Sequence, residues 1–329
     1  MTTLVTGGGG FIGLNVVQRL LSLGEPVVAL SLKPLHPVAM NVFAGLPGRL
    51  SVEIGDVCDV AFLRAVLDRH EVRRVLHAAA ITAGAGVDPV RASTVLDVNV
   101  AGTNAVLVLA REAGIDRVVL TSSGAVYGDA TFGSLPVTEE TPPRPASLYA
   151  ISKLASERLA AQARALGVDA IRARLTAIYG AWEHATGVRD TLSPPFQIAA
   201  AAARGDPVVV AEGGKRDWTP GPEIAAALVR LLMAERPRHD LYNLGCGRIW
   251  DPALVCRRLA EARPGWTWRR AAAGEAPSIA YNDALDRVRL SPPSPARFEA
   301  EFGPAFGQPE AGAAAYAEWA GAHPGMLAT

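Results

Sequence analysis

The chain is short of lysine, of cysteine and of net charge. Its 32 basic residues include only three lysines, Lys33, Lys153 and Lys215, and 32 acidic residues balance them. That balance gives no electrostatic footprint for nucleic acid or an acidic membrane surface, which leaves a small molecule as the expected partner. The three cysteines, Cys58, Cys246 and Cys256, are odd in number and scattered, so neither a disulfide framework nor a metal site is expected. No apolar run is read as approaching the ~20 residues of a membrane-spanning helix. The start, MTTLVTGGGG, has no basic, signal-like character, and a cytoplasmic protein is expected.

What is present is half hydrophobic and 19% charged over 329 residues, the balance of a folded chain with a large core. The first half alternates short β-like runs with helix-period segments, the pattern of βαβ units on a parallel sheet. Strands are expected near 2–6, 26–31, 50–55, 74–78, 116–122 and 168–175, with helices near 11–23, 59–69, 91–112 and 147–166. From about 176 onward Pro194, Pro195, Pro207, Pro220 and Pro222 break the rhythm, and a smaller, irregular cap is expected. The strand-like run Leu241 to Leu244, in a segment near 225–260, is expected to return to the main sheet.

Between the first strand and first helix lies Thr6-Gly7-Gly8-Gly9-Gly10-Phe11-Ile12-Gly13. Glycines at 7, 10 and 13 permit a tight turn, close approach of a pyrophosphate and close helix–strand packing, while Phe11 and Ile12 open a helix whose N–H groups face an anion. A dinucleotide site is therefore expected. The fold class follows: α/β, a Rossmann-type doubly wound parallel sheet over 1–175, with 176–329 mainly a partly interleaved substrate domain.

The second strand ends in Ser31-Leu32-Lys33, where an NAD-specific site commonly places a carboxylate for the ribose diol. A serine with a lysine suits a 2′-phosphate at least as well, so the cofactor is NAD or NADP. Asp56 and Val57 are expected at the adenine, and Ala78, Ala79 and Ala80 leave room for the cofactor backbone. His77 is read as a packed strand residue. Asn99, inside a helix, is expected to satisfy backbone, to hold a water behind the lysine or to mark a kink.

Tyr149 and Lys153 stand four apart and share a helical face. A cation there favours phenolate, so Lys153 is expected to lower the phenol pKa and make Tyr149 an acid/base group. Ser123, at the C-terminal end of the fifth strand, is placed at the crevice to bond a substrate oxygen.

In order, TGGGGFIG, GDV, HAAA, DVNVAGT, TSSGAVYG, YAISK and RDWTPGPEIAAAL resemble the extended short-chain dehydrogenase/reductases, over about residues 2–260. The likeness is to the NAD(P)-dependent sugar epimerase/dehydratase group typified by UDP-glucose 4-epimerase. It implies a catalytic Ser123/Tyr149/Lys153 triad, with Lys153 also bonding the nicotinamide ribose, cofactor roles for Asn99 and Thr176, and a homodimer built on the helices near 91–112 and 147–166.

Two departures bear on the reaction. The positions after the strand serine are Gly124 and Ala125 where family dehydratases carry Asp and Glu, so dehydration is disfavoured. Ala177 stands where nucleotide-sugar epimerases place a substrate-binding asparagine, whereas Arg216 matches the arginine that contacts the nucleotide diphosphate. His184 and Arg189, in a stretch without a nucleotide-binding pattern, complete the expected substrate residues. The substrate is expected to be an anionic carbohydrate, either a sugar nucleotide or a smaller sugar or sugar acid. An epimerase-type reaction is favoured, with a dehydrogenase and a non-catalytic dinucleotide-binding regulator as the alternatives.

Overall fold

The computed structural model describes residues 1–83, 89–281 and 289–327. Six strands follow one another through the first half: β1 (Thr2–Thr6), β2 (Val27–Ser31), β3 (Leu50–Ile54), β4 (Val72–His77), β5 (Arg117–Ser123) and β6 (Ala170–Leu175). After the short β7 (Ile178–Tyr179), β8 (Val208–Val210) and β9 (Thr219–Pro220) comes β10 (Leu241–Leu244), which joins the same sheet beside β6; β11 (Trp268–Arg270) pairs with β8. The sheet is parallel throughout, in the order β10-β6-β5-β4-β1-β2-β3. Strand order reverses between β1 and β4, and their C-terminal ends bound the crevice where such sheets take ligands.

Alternation along each strand divides the apolar residues between two cores. Leu4, Val118 and Leu120 face the layer of α3 (Val60–Arg69), α5 (Gly102–Glu112) and α6 (Leu148–Ala165). Val5 and Val119 face the opposite layer, where α1 (Phe11–Ser22) packs against α8 (Gly221–Met233) beside α2 (Pro37–Phe43). The return from the second half thus begins at α8 and ends with β10. The remaining cap is built from α7 (Pro194–Arg204), α9 (Ala253–Ala262), α10 (Ala296–Phe302), α11 (Pro309–Ala322) and the β8–β11 pair. Its Phe196, Phe298 and Leu327 belong to the same buried cluster as Val5 and Leu20.

Two expectations need correcting. The helix over 91–112 is broken into α4 (Pro89–Leu96), a wider π turn at Asp97–Ala101, and α5. Taken together, Pro89–Glu112 make 24 residues, long and apolar enough by length and composition to cross a membrane, which the run-length argument from sequence missed. In the fold this run packs against α3, α6 and β4. The helix α2 was also unforeseen: Pro37 opens it, and the His36 ring accepts a hydrogen bond from the Val38 N–H at its start.

Candidate active site

The glycine loop turns through Gly7, whose φ of 67° suits glycine. A Cβ on Gly7 would lie 2.8 Å from the Ala79 nitrogen, and one on Gly13 would lie 2.0 Å from the Gly7 oxygen. Gly9 leaves the same kind of space above Ser31, at 2.5 Å from its hydroxyl. Gly10 starts α1 with no side-chain cap, so the first N–H groups of the helix, at Phe11 and Ile12, are not taken by a side chain. Backbone rather than side chains therefore lines this floor. That is the requirement for a dinucleotide pyrophosphate, and the residues fit one.

The other expected cofactor residues border the same strand ends. Ser31 closes β2 and Lys33 is exposed just beyond it. Asp56 accepts from the Cys58 N–H at 2.8 Å, and Val57 is buried. Ala78 and Ala79 donate to the Thr6 carbonyl and hydroxyl at 3.2 and 3.3 Å, which holds the half-buried Ala78–Ala80 segment beside the glycine turn. Thr176 follows β6, its amide bonded to the Leu244 carbonyl and its hydroxyl 3.3 Å from that of Thr219.

Asn99 lies in the π turn and is buried. Its Oδ1 accepts from the Ile81 N–H at 2.8 Å, and its Nδ2 donates to the Ile81 carbonyl at 3.0 Å and to the Ser152 hydroxyl at 2.9 Å. It satisfies backbone and marks an irregular turn at once. The clamp also fixes the next residue, Thr82, which acts on the Tyr149 phenol.

Ser147 caps α6 through the Ala150 N–H, which sets Tyr149 in the first helical turn. The Tyr149 phenol has the side chains of Ser123 and Thr82 as neighbours, both acting to lower its pKa. Burial holds the phenol above its ordinary pKa; those two neighbours and the charge of Arg189 pull in the other direction. This corrects the expectation from the i,i+4 spacing, since Lys153 is not among the groups that lower it. Lys153, one turn on, is 4% exposed and is itself pushed down to about 8 by burial, with the Glu157 carboxylate acting to raise it. His77 lies behind, pushed down to about 3 by burial and by Lys153. Its ring is bonded by Thr6 at 2.7 Å and Thr103 at 3.0 Å, so it is the neutral, packed residue read from the sequence.

Several residues around this site escaped the sequence reading. Glu157 is buried and receives Arg174 through two bonds of 2.8 and 2.7 Å and Ser122 at 2.5 Å; the Arg174 guanidinium lies over the Tyr127 ring. Its position four after Lys153 was the available signal. Thr82 had none. Glu183, also buried, accepts from the Ser193 N–H and hydroxyl and from Arg189 at 3.0 Å.

The expected substrate residues divide. Arg189 is bridged to Thr82, and its charge acts on the phenol. His184 instead donates to the Trp182 carbonyl and meets the edge of His36, against α2. Ala177 packs partly into the core and receives the Thr219 N–H on its carbonyl. Arg216 is half-buried, bridged through its backbone to Trp250 and with its guanidinium 5.7 Å from the Trp218 ring centre. Beside it Asp217 is buried and pushed up to about 7, chiefly by burial.

A parallel sheet with a glycine floor at its switch point and a phenol, hydroxyl and ammonium beside it defines a dinucleotide-dependent oxidoreductase type of protein. The model of the NAD dependent epimerase/dehydratase family matches residues 3–245, and the chain belongs to that family. It is 32% identical to a UDP-glucose 4-epimerase of Streptomyces lividans over 74% of this chain and 75% of that one. Among solved structures it resembles the UDP-glucose 4-epimerase of Thermus thermophilus in complex with NAD, with a TM-score of 0.76, 26% identity and coverage of 97% and 99% of the two chains. It also resembles MoeE5 in complex with UDP-glucose and NAD, with a TM-score of 0.72, 28% identity and coverage of 98% and 100%.

Proposed function

We propose that this chain is an NAD(P)-dependent epimerase-type oxidoreductase acting on a carbohydrate hydroxyl, with a sugar nucleotide or related sugar as substrate. The observation that carries the reading is Tyr149, in the first turn of α6, as a neighbour of Ser123 at the C-terminal end of β5, on the same rim as the glycine floor.

The pyrophosphate of the cofactor would rest on Gly7–Gly13, its adenosine end near Ser31, Lys33, Asp56 and Val57, and its nicotinamide end toward Tyr149 and Lys153. When bound, the nicotinamide accepts hydride from the carbinol carbon and can return it. The protein's part is proton transfer and orientation. Ser123 donates a hydrogen bond to the substrate oxygen, and the Tyr149 oxygen takes the hydroxyl proton as the carbon–oxygen double bond forms. Lys153, one helical turn on, would bond the nicotinamide ribose and hold it beside the phenol. Were hydride returned to the opposite face, Tyr149 would hand the proton back and the carbon would be inverted; release of the keto product would make the same site a dehydrogenase. Gly124 and Ala125 carry no acid or base, which disfavours dehydration.

Arg216, the match to the family's diphosphate arginine, supports an anionic nucleotide end. A homodimer is supported by the exposed Val90, Val108 and Ile151 on α4, α5 and α6. Incubation with NAD or NADP and a panel of sugar nucleotides and free sugars, followed at 340 nm and by product stereochemistry, tests the reading. Inverted product without accumulated reduced cofactor is expected, and no reaction with any member would overturn it.

A further inference from the structure

Past the left-handed Trp182 (φ 69°), the segment 183–190 crosses the site. Thr82 donates its N–H to the Val188 carbonyl at 2.8 Å and forms a parallel bridge with Arg189. Thr82, a neighbour of the Tyr149 phenol, is therefore paired directly with Arg189. Glu183, 1% exposed and held by the Ser193 N–H and hydroxyl at the start of α7, fixes that guanidinium at 3.0 Å. A guanidinium has five N–H donors. Among the described residues Glu183 is the one hydrogen-bond acceptor Arg189 meets, and the side chain is 25% exposed.

We infer that Arg189 is a specificity residue for a carboxylate on the sugar itself, close to the reacting hydroxyl, so that the substrate class is a sugar acid, free or nucleotide-linked. The inference rests on the proposed function and names its substrate. The charge at this end of the site is distinct from the one expected at the diphosphate, because Arg216 is tied to Trp250 and Trp218 while Arg189 is tied to Thr82. A neutral sugar would leave oriented, partly desolvated N–H donors facing hydroxyls, whereas a carboxylate takes two of them in the planar fork that guanidinium favours. Glu183 pre-orients the arginine, which removes part of the ordering cost of binding.

The test uses matched pairs, glucuronate against glucose and UDP-glucuronate against UDP-glucose, on the NAD(P)-loaded full chain, read by kcat/KM and by calorimetry. Wild type is expected to favour the acid of at least one pair roughly tenfold or more, on the usual strength of a charged hydrogen bond. Arg189→Met should close the gap between acid and neutral partner, whatever its effect on the turnover of both, and Arg189→Lys should restore part of it. Equal or inverted preference in wild type, or a gap that survives in Arg189→Met, overturns the inference. Calorimetry on Tyr149→Phe separates the two readings: an acid preference in binding with no turnover by any wild-type assay would strike the proposed function alone, and turnover without acid preference would strike this inference alone.

Discussion

Asn99 grips Ile81 by both backbone groups, accepting from its N–H at 2.8 Å and donating to its carbonyl at 3.0 Å. A helix residue thereby completes the hydrogen bonding of a segment beyond the end of β4, and through it the location of Thr82. The remaining Nδ2 bond, to Ser152, ties the same side chain to α6 between Tyr149 and Lys153.

Asn99→Ala should cost about 1–3 kcal/mol of stability, because the Ile81 N–H and carbonyl lose their partners in a partly buried place. Turnover should fall further than cofactor affinity, since Thr82 loses its anchor while the glycine floor is untouched. Thermal unfolding and steady-state kinetics check this together. A variant with wild-type turnover would remove Asn99 from the support of the site.

Tyr149→Phe keeps the ring and deletes the hydroxyl proposed to move the proton. Turnover should drop by roughly 10²–10⁴-fold, with cofactor affinity within about threefold of wild type. Cofactor titration followed by single-turnover assay is the measurement, and turnover within about threefold of wild type would end the assignment.

Ser31→Asp should move preference toward NAD, because a carboxylate at the end of β2 accepts the ribose hydroxyls and repels a 2′-phosphate. Both cofactors are titrated against both proteins. An unchanged ratio of affinities would place the adenosine ribose away from this strand end.

Lys153 links stability to pH in an unusual direction. Its folded pKa of about 8 lies below the ordinary lysine value of 10.5, so between these limits the unfolded chain binds more protons and stability rises with pH. Below about 8 the buried ammonium opposes folding in full; above 10.5 the penalty is gone. Lys153→Met should therefore be the more stable protein at pH 7, by up to about 3 kcal/mol at about 1.4 kcal/mol per unit, and nearly inactive. Denaturant unfolding of the cofactor-free proteins should show the advantage shrinking from about pH 8 to 10.5. An advantage that is absent at pH 7 would mean the ammonium is well solvated.

The parallel sheet was legible because its strands are short apolar runs bounded by glycine and helix-period segments; Thr2–Thr6 and Leu241–Leu244 fall where those runs fall. The Tyr149 and Lys153 pair was legible from spacing alone. Thr82 was not, since Ile81-Thr82-Ala83-Gly84 has no period and its role depends on Asn99, 17 positions away, and on Val188. Glu183 reads as an ordinary loop carboxylate until Ser193 and Arg189 close around it. His184 looked like a substrate ligand by neighbourhood, but at Trp182 the chain passes α1 and α2, where Gln18 and Phe43 hold the indole. The error over the Tyr149 phenol has the same origin: spacing revealed the lysine one turn away but not the burial that raises the phenol.

The single buried cluster running from Val5 through Trp182 and Leu228 to Leu327 has a bearing on engineering. A chimera cut near residue 176 would strip α8 from α1 and leave β6 as an open sheet edge, exposing apolar surface on both fragments. Substrate choice in this scaffold is therefore not portable as a module. The segment 183–190, by contrast, carries Arg189 and Glu183 outside every strand of the seven-stranded sheet, so its exchange would test the proposed acid preference with that sheet intact.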